Sequence, residues 1–266
     1  MTTIGILGAN GRMGRAIAEI ASELDTGVAG GVDLHGSVHG PHADPMSLAR
    51  ASDVLVDFSA PAALAGHLET ALAAGVPIVI GTTGLQSEHH RLIDDSAARG
   101  LAVLQSANTS LGVNLLGHLV REAAARLGAD WDIEIVEMHH RHKVDAPSGT
   151  ALLLGAAAAD GRGSTLDELS RYDRIGHGKD MPREEGTIGY ASLRGGSVAG
   201  DHMVVFAGAS ERIELGHRAE NRAIFARGAI KACLWLQGKP AGRYTMGDVL
   251  GCEEGRRLRI LSAPRR

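Results

Sequence analysis

Short apolar runs recur through the first half of the chain, each followed by a glycine-rich or polar turn and then an amphipathic stretch. Ile4 to Leu7, Val28 to Val32, Val54 to Phe58, Pro77 to Ile80 and Leu101 to Leu104 read as buried strands. Between them, helices are expected from the Gly14 turn to about Glu23, from about Pro61 to Ala74 with Ser59 as its cap, and from about Ser87 to Arg99. Strands alternating with helices of this length imply right-handed crossovers and a parallel, doubly wound sheet. Ligands of such sheets bind beyond the carboxyl ends of the strands.

The second half changes pattern. Leu111 to Leu127 is helical, and Asp132 to Met138 alternates as a half-exposed strand does. An Ala-rich helix follows the turn Ala146-Pro147-Ser148-Gly149. Gly161 to Glu185 is polar without periodicity and reads as a long loop with one helical turn, as a mobile segment or an intersubunit contact. Strands are expected at Gly186 to Ser192, His202 to Ala207 and Glu211 to His217. In the last, clean alternation leaves one sheet face packed and the other exposed or paired with another subunit. Arg222 to Leu236 is helical and stops at Gly238-Lys239-Pro240; the remaining tail carries no strong signal. The fold class is therefore α/β: a Rossmann-like doubly wound parallel sheet plus an inserted α+β domain with a mixed or antiparallel sheet. Residues 1–109 with 220–266 are expected to form the first domain and 110–219 the second.

With 266 residues and 44% hydrophobic content the chain can bury a substantial core, but aromatics are only 3%, so that core rests on Ala, Val, Leu and Ile. A net charge of −4 gives no electrostatic reason for nucleic-acid binding, and the basic pairs Arg256-Arg257 and Arg265-Arg266 read as a solvated terminus. Cys233 and Cys252 form no metal-like cluster or CxxC pair, which suits a reducing compartment. No run approaches the roughly twenty apolar residues of a membrane span, and the start of the chain lacks a signal-peptide pattern. A soluble cytoplasmic protein is expected.

Two motifs carry chemistry. The first is Gly8-Ala9-Asn10-Gly11-Arg12-Met13-Gly14, a G-x-x-G-x-x-G variant of the dinucleotide fingerprint between strand and helix. Gly8 permits the tight turn, Gly11 lets a pyrophosphate approach the backbone, and Gly14 lets the helix lie close to the strand. Asp33 ends the second strand, at the distance where an acidic side chain takes the adenosine ribose hydroxyls. Gly81-Thr82-Thr83-Gly84 and Ser106-Ala107-Asn108-Thr109 fall on the same sheet edge. No G-x-x-x-x-G-K-[ST] run is present, which disfavours a P-loop.

The second motif runs from Glu137 to Thr150 and places three imidazoles, a guanidinium and an ammonium at His139, His140, Arg141, His142 and Lys143. Cations beside a helix start suit a small multiply anionic molecule, and imidazoles move protons near neutral pH. The Gly149 and Thr150 amides open that helix. Metal binding by His139, His140 and His142 is disfavoured: the i, i+1, i+3 spacing is not the helical pair, and Arg141 and Lys143 would repel a cation. A merely solvated polar loop is the competing reading.

With these motifs in order, and with Leu111-Gly112-Val113-Asn114, Gly186-Thr187-Ile188-Gly189 and Phe225 to Trp235 in support, the chain resembles the dihydrodipicolinate reductase family along nearly its whole length. The resemblance implies reduction of 4-hydroxy-tetrahydrodipicolinate, a small cyclic imine dicarboxylate, by NADH or NADPH in lysine and diaminopimelate biosynthesis. It implies His139 as acid/base, Lys143 as proton donor, and His140, Ser148, Gly149 and Thr150 as substrate contacts. Cofactor contacts carry over to Gly8 through Met13, Asp33, Gly81 to Thr83 and Ser106 to Thr109, with no metal site and a homotetramer joined through the second domain's sheet. Two positions depart from the family's common bacterial pattern. Thr109 stands where a bulky aromatic is common, and Asp33-Leu34 where Glu-Arg is frequent. Leu34 cannot meet a 2′-phosphate and Asp33 would repel one, so NADH is favoured, with Arg12 as an alternative phosphate partner and His35 close in sequence. A cofactor-binding regulator without turnover, and a nicotinamide enzyme acting on another anionic imine or aldehyde, are the alternatives. The intact cation cluster argues against the first.

Overall fold

A computed structural model describes residues 1–173 and 182–252. In chain order the strands are β1 (Thr3–Leu7), β2 (Gly27–Asp33), β3 (Gly36–His39), β4 (Val54–Asp57), β5 (Ile78–Ile80), β6 (Ala102–Gln105), β7 (Asp132–His139), β8 (Ser170–Arg171), β9 (Ile188–Arg194), β10 (Asp201–Ala207), β11 (Arg212–Arg218) and β12 (Gly242–Tyr244). The helices are α1 (Arg12–Ala21), α2 (Pro45–Arg50), α3 (Leu64–Ala74), α4 (Ser87–Ala98), α5 (Leu111–Arg126), α6 (Gly149–Gly161), α7 (Leu166–Leu169), α8 (Ala223–Leu236) and α9 (Met246–Leu250).

Two sheets organise the described residues. The first runs β12-β6-β5-β4-β1-β2-β3 and is parallel except for the β2–β3 pair. Period-two alternation splits its apolar side chains between two cores. Ile4, Ile6, Val54, Val56 and Val79 meet α1 and α8 on one face. Leu7, Leu55, Ile78 and Ile80 meet α2, α3 and α4 on the other. Both faces are covered, which is why these strands read as nearly continuous apolar runs.

The second sheet runs β11-β10-β7-β9-β8 and is mixed: β7–β9 and β8–β9 are parallel, β10 is antiparallel to both neighbours. Ile133, Ile135, Val204 and Phe206 pack against α5 and α6. Val136, Met138, Met203 and Val205 alternate with buried positions and stay half-exposed, away from that core.

Several elements depart from the sequence expectations. The edge strand β3 and the short α2, and later β12 and α9, occupy stretches without clear periodicity. The hydroxyl of Ser59 does not cap α3; it donates to Asp57 Oδ1 at 2.6 Å, and a turn of 3-10 helix at Pro61–Ala63 precedes α3 instead. The stretch 161–185 has its expected helical turn in α7 but also holds the short strand β8; its residues 174–181 lie outside the described residues, as do the basic pairs at 256–257 and 265–266. No helix among the described residues is long and apolar enough to cross a membrane.

Candidate active site at the carboxyl edge of the first sheet

The turn after β1 is built for close approach. Gly8 sits at φ +78, and a Cβ there would come within 2.7 Å of the Phe58 carbonyl oxygen. At Gly14 a Cβ would lie 2.5 Å from the Gly8 carbonyl oxygen, so only glycine lets α1 lie this near the strand. Gly11 precedes α1 and supplies no side-chain cap. The first amides of α1 therefore point outward without intrahelical partners, as a pyrophosphate requires. Asp33 is pinned at the end of β2: its carboxylate accepts the Asn10 amide at 2.9 Å and the Leu34 amide at 2.8 Å.

Two cavities, each about 410 Å³, lie along this edge. Gly8, Gly11, Asp33 and Leu34 line the first, together with Phe58, Ser59 and His67. Arg12, Met13, Gly81, Thr82, Thr83, Ala107, Asn108 and Thr109 line the second, and Phe58 and Ser59 line both. Sharing Phe58 and Ser59, the pair lies at the switch in strand order between β1 and β4, where ligands of such sheets bind. Ala9 is fully buried, the Asn10 side chain accepts from Arg15, and Ser106 donates to the Asn108 carbonyl. These three shape the loops rather than line the cavities. Thr109 is also inward: its hydroxyl donates to the Phe225 carbonyl at 2.7 Å, and the Phe225 ring reaches the second cavity.

The cationic segment starts where β7 ends. Period two puts Glu137 and His139 in phase with Ile133 and Ile135, on the inward face, where they are 2% and 8% exposed. His139 Nδ1 lies 2.5 Å from Glu137 Oε2, and Arg194 donates to the same carboxylate at 2.8 and 2.9 Å. Burial alone would raise the Glu137 carboxyl. Hydrogen bonds from Arg194, Ser192 and His139 outweigh it and hold the group below its ordinary value. Glu137 is thus an anion, and the His139 Nδ1 carries the shared proton. The free Nε2 faces Gly200, where a Cβ would sit 3.0 Å from it.

Beside His139, at 5.0 Å between ring centroids, stands His202, whose Nε2 lies 2.9 Å from the Ser148 hydroxyl. Burial first, then the His139 charge, push His202 down to about 4. Ser148 caps α6 by accepting the Ala151 amide at 3.1 Å, leaving the Gly149 and Thr150 amides without intrahelical partners. Lys143 reaches both Asp145 oxygens at 2.8 Å, and this ammonium holds the Asp145 carboxyl below its usual range. His140 Nε2 lies 3.1 Å from Arg222; burial and then that guanidinium lower its imidazole. The run of basic side chains is therefore divided: His139 is inward on a carboxylate, while Lys143 and His140 are held separately at the loop.

One hydrogen bond joins the second cavity to the start of α6. Asn108, which lines the second cavity, donates to Thr150 Oγ1 at 3.1 Å, and its own Oδ1 accepts the Ser110 amide. Arg194, His202, Gly200 and His67 were not singled out from the sequence, and Glu137 and Phe225 stood in quoted motifs without a role of their own. Only Glu137 had a readable signal, as an acid in phase with two buried isoleucines.

Residues 2–109 match the family model described as dihydrodipicolinate reductase, N-terminus, and residues 112–250 match its C-terminus model. A relative from Zymomonas mobilis named 4-hydroxy-tetrahydrodipicolinate reductase is 61% identical over 248 residues, 93% of this chain and 96% of the relative. One of the same name from Parvibaculum lavamentivorans is 50% identical over 94% of this chain and 98% of its own. Among solved structures, the fold is shared with dipicolinate-bound dihydrodipicolinate reductase from Paenisporosarcina sp. TG-14, with TM-score 0.74 at 23% identity over 92% of this chain and 97% of that one. The chain belongs to the dihydrodipicolinate reductase family.

Proposed function

We propose that this protein reduces 4-hydroxy-tetrahydrodipicolinate to tetrahydrodipicolinate with NADH or NADPH, a step of lysine and diaminopimelate biosynthesis. The observation that carries the reading is the Asn108–Thr150 hydrogen bond, because it puts the second cavity, read here as the nicotinamide end, beside the helix start that follows the cationic loop. In this reading residues 1–109 with 220–266 hold the cofactor, and 110–219 bind substrate and form the oligomer. The half-exposed Val136, Met138, Met203 and Val205 offer an apolar sheet face for a homotetramer.

Gly8, Gly11 to Met13, Asp33, Gly81 to Thr83 and Ala107 to Thr109 line the cavities and hold the dinucleotide, while Ala9, Asn10 and Ser106 shape the loops around it; when bound it supplies the hydride equivalent. His139 acts as acid/base through Nε2, which Gly200 keeps uncovered, while the Glu137 anion orients the ring and stabilises its cation. Lys143 is the second proton donor, positioned by its ion pair with Asp145. The amides of Gly149 and Thr150 and the His140 ring bind the substrate carboxylates, and Ser148 supports them as the cap of α6. NADH is preferred. No Lys or Arg stands among the residues lining the Asp33 cavity, Leu34 lies beside Asp33, and that carboxylate repels a 2′-phosphate.

A coupled assay with freshly generated substrate and either cofactor tests the reading. Oxidation of NADH on substrate addition, with kcat/KM above that for NADPH, is expected. Absence of turnover with both would overturn the activity, and a clear NADPH advantage would overturn the preference.

A further inference from the structure

The mechanism above leaves one buried ionisable group without a role. Asp57 ends β4, is fully buried, and lies between the two cavities. Its Oδ1 accepts the Ser59 amide at 2.9 Å, the Ser59 hydroxyl at 2.6 Å and the Thr82 hydroxyl at 3.1 Å. Its Oδ2 lies 2.8 Å from His67 Nδ1. Four donors converge on one carboxylate in the interior, which is how a buried anion is satisfied. Ser59 and His67 both turn to Asp57, so the histidine does not sit between acid and hydroxyl as a hydrolytic triad requires.

The carboxylate sets the direction of the His67 ring. With Nδ1 committed to Asp57, Nε2 is the ring nitrogen left for a ligand. That atom has no protein partner among the described residues, and His67 lines the Asp33 cavity. Through Ser59 and Thr82 the same carboxylate reaches the nicotinamide side.

We propose that His67 contacts the adenosine half of the dinucleotide, its Nε2 accepting from a ribose hydroxyl or the adenine amino group, and that Asp57 is the positioning residue for both cavities. This rests on the nicotinamide-cofactor reading above.

The test is titration of wild type, His67→Asn and Asp57→Asn with NADH, its deamino analogue and ADP-ribose, followed by fluorescence or calorimetry. Asn at 67 can keep the bond to Asp57 but lacks the Nε2 atom. One hydrogen bond to a ligand is worth up to about tenfold in affinity. His67→Asn should weaken NADH and ADP-ribose binding by roughly that factor, raising KM for NADH much more than it lowers kcat. A loss confined to NADH and ADP-ribose assigns the partner as the amino group; an equal loss with the deamino analogue assigns the hydroxyl. Asp57→Asn should weaken NADH by more than His67→Asn does, because Ser59 and Thr82 are released as well. Wild-type affinities in a folded His67→Asn variant would overturn the proposal alone, whereas failure of wild type to bind NADH would overturn the cofactor reading beneath it.

Discussion

Replacing Glu137 by Gln separates a positioned histidine from a merely buried one. The wild-type carboxylate, 2% exposed, accepts one bond from His139 and two from Arg194. Glutamine offers one acceptor oxygen, and because Arg194 bonds both carboxylate oxygens its NH2 must face an Arg194 N–H, and His139 as well in one of its two orientations. At least one charge-assisted bond is lost and one buried donor is left opposed. Such bonds contribute about 1.5–3 kcal/mol each, so the variant should lose roughly 3 kcal/mol of stability. For a chain of this size that is a fall in melting temperature of about 6–12 °C. If His139 moves the proton, its disorientation should lower kcat/KM by about a hundredfold, the lower end of what general acid–base catalysis supplies. The assay is steady-state NADH oxidation for Glu137→Gln, His139→Gln and the double variant. Because Glu137 acts through His139, the double variant should be no slower than His139→Gln. Activity of Glu137→Gln within threefold of wild type, or losses that multiply in the double variant, would refute the coupling. Acid sensitivity follows from the same geometry. A carboxyl held below its ordinary value stabilises the fold above that ordinary value and loses this contribution as pH falls through the folded one, so Glu137→Gln should be less acid-sensitive than wild type.

His202 has the same sign of linkage. It is faced by His139 and Glu137 on β7, Lys143 and Ser148 on the loop and His217 on β11, and its value falls from 6.5 to about 4 on folding. The unfolded chain binds the extra proton between those limits, so wild type should lose about 3 kcal/mol as pH drops across that window; urea unfolding of His202→Gln should show a flatter profile. Leu34 is 86% exposed at the rim of the Asp33 cavity, so Leu34→Arg should raise kcat/KM for NADPH by about tenfold through a guanidinium–phosphate pair. Unchanged NADPH kinetics would place the 2′ position elsewhere. Gly14→Ala drives a Cβ against Gly8 and Ala9 backbone, so thermal unfolding should show a loss of about 1–3 kcal/mol and NADH affinity should fall; a variant as stable as wild type would mean that α1 can back away from the strand.

What could be read directly was whatever repeats locally. The alternation of β1, α1, β2, β4, α3, β5, α4 and β6 followed from apolar runs and glycine turns, because both faces of the first sheet are covered and each strand announces its own burial. Asp33 and the Gly8–Gly14 turn were legible because one βαβ unit contains the whole fingerprint. Edge elements were not. β3 has one strand neighbour, β2, α2 is a single short helix, and β12 has three residues, too few for a period to emerge. The rest of the site was hidden for a different reason. Arg194 meets Glu137 across parallel strands 57 residues apart, His202 meets Ser148 across 54, and Asn108 meets Thr150 across 42. No local pattern encodes such pairings.

The sequence by itself determined the sheet type, the place of the nucleotide turn and the chemical inventory of the cationic loop, since these depend on periodicity and residue type within one short segment. Tertiary structure alone decided which basic side chain is buried on a carboxylate and which pairs at the loop, and which nitrogen of His139 lies outside the Glu137 contact. It also decided that Asp57 anchors Ser59, His67 and Thr82 between two cavities. The physical reason is that protonation and orientation are set by neighbours brought in from distant strands, where burial makes each hydrogen bond and charge count far more than it would in water.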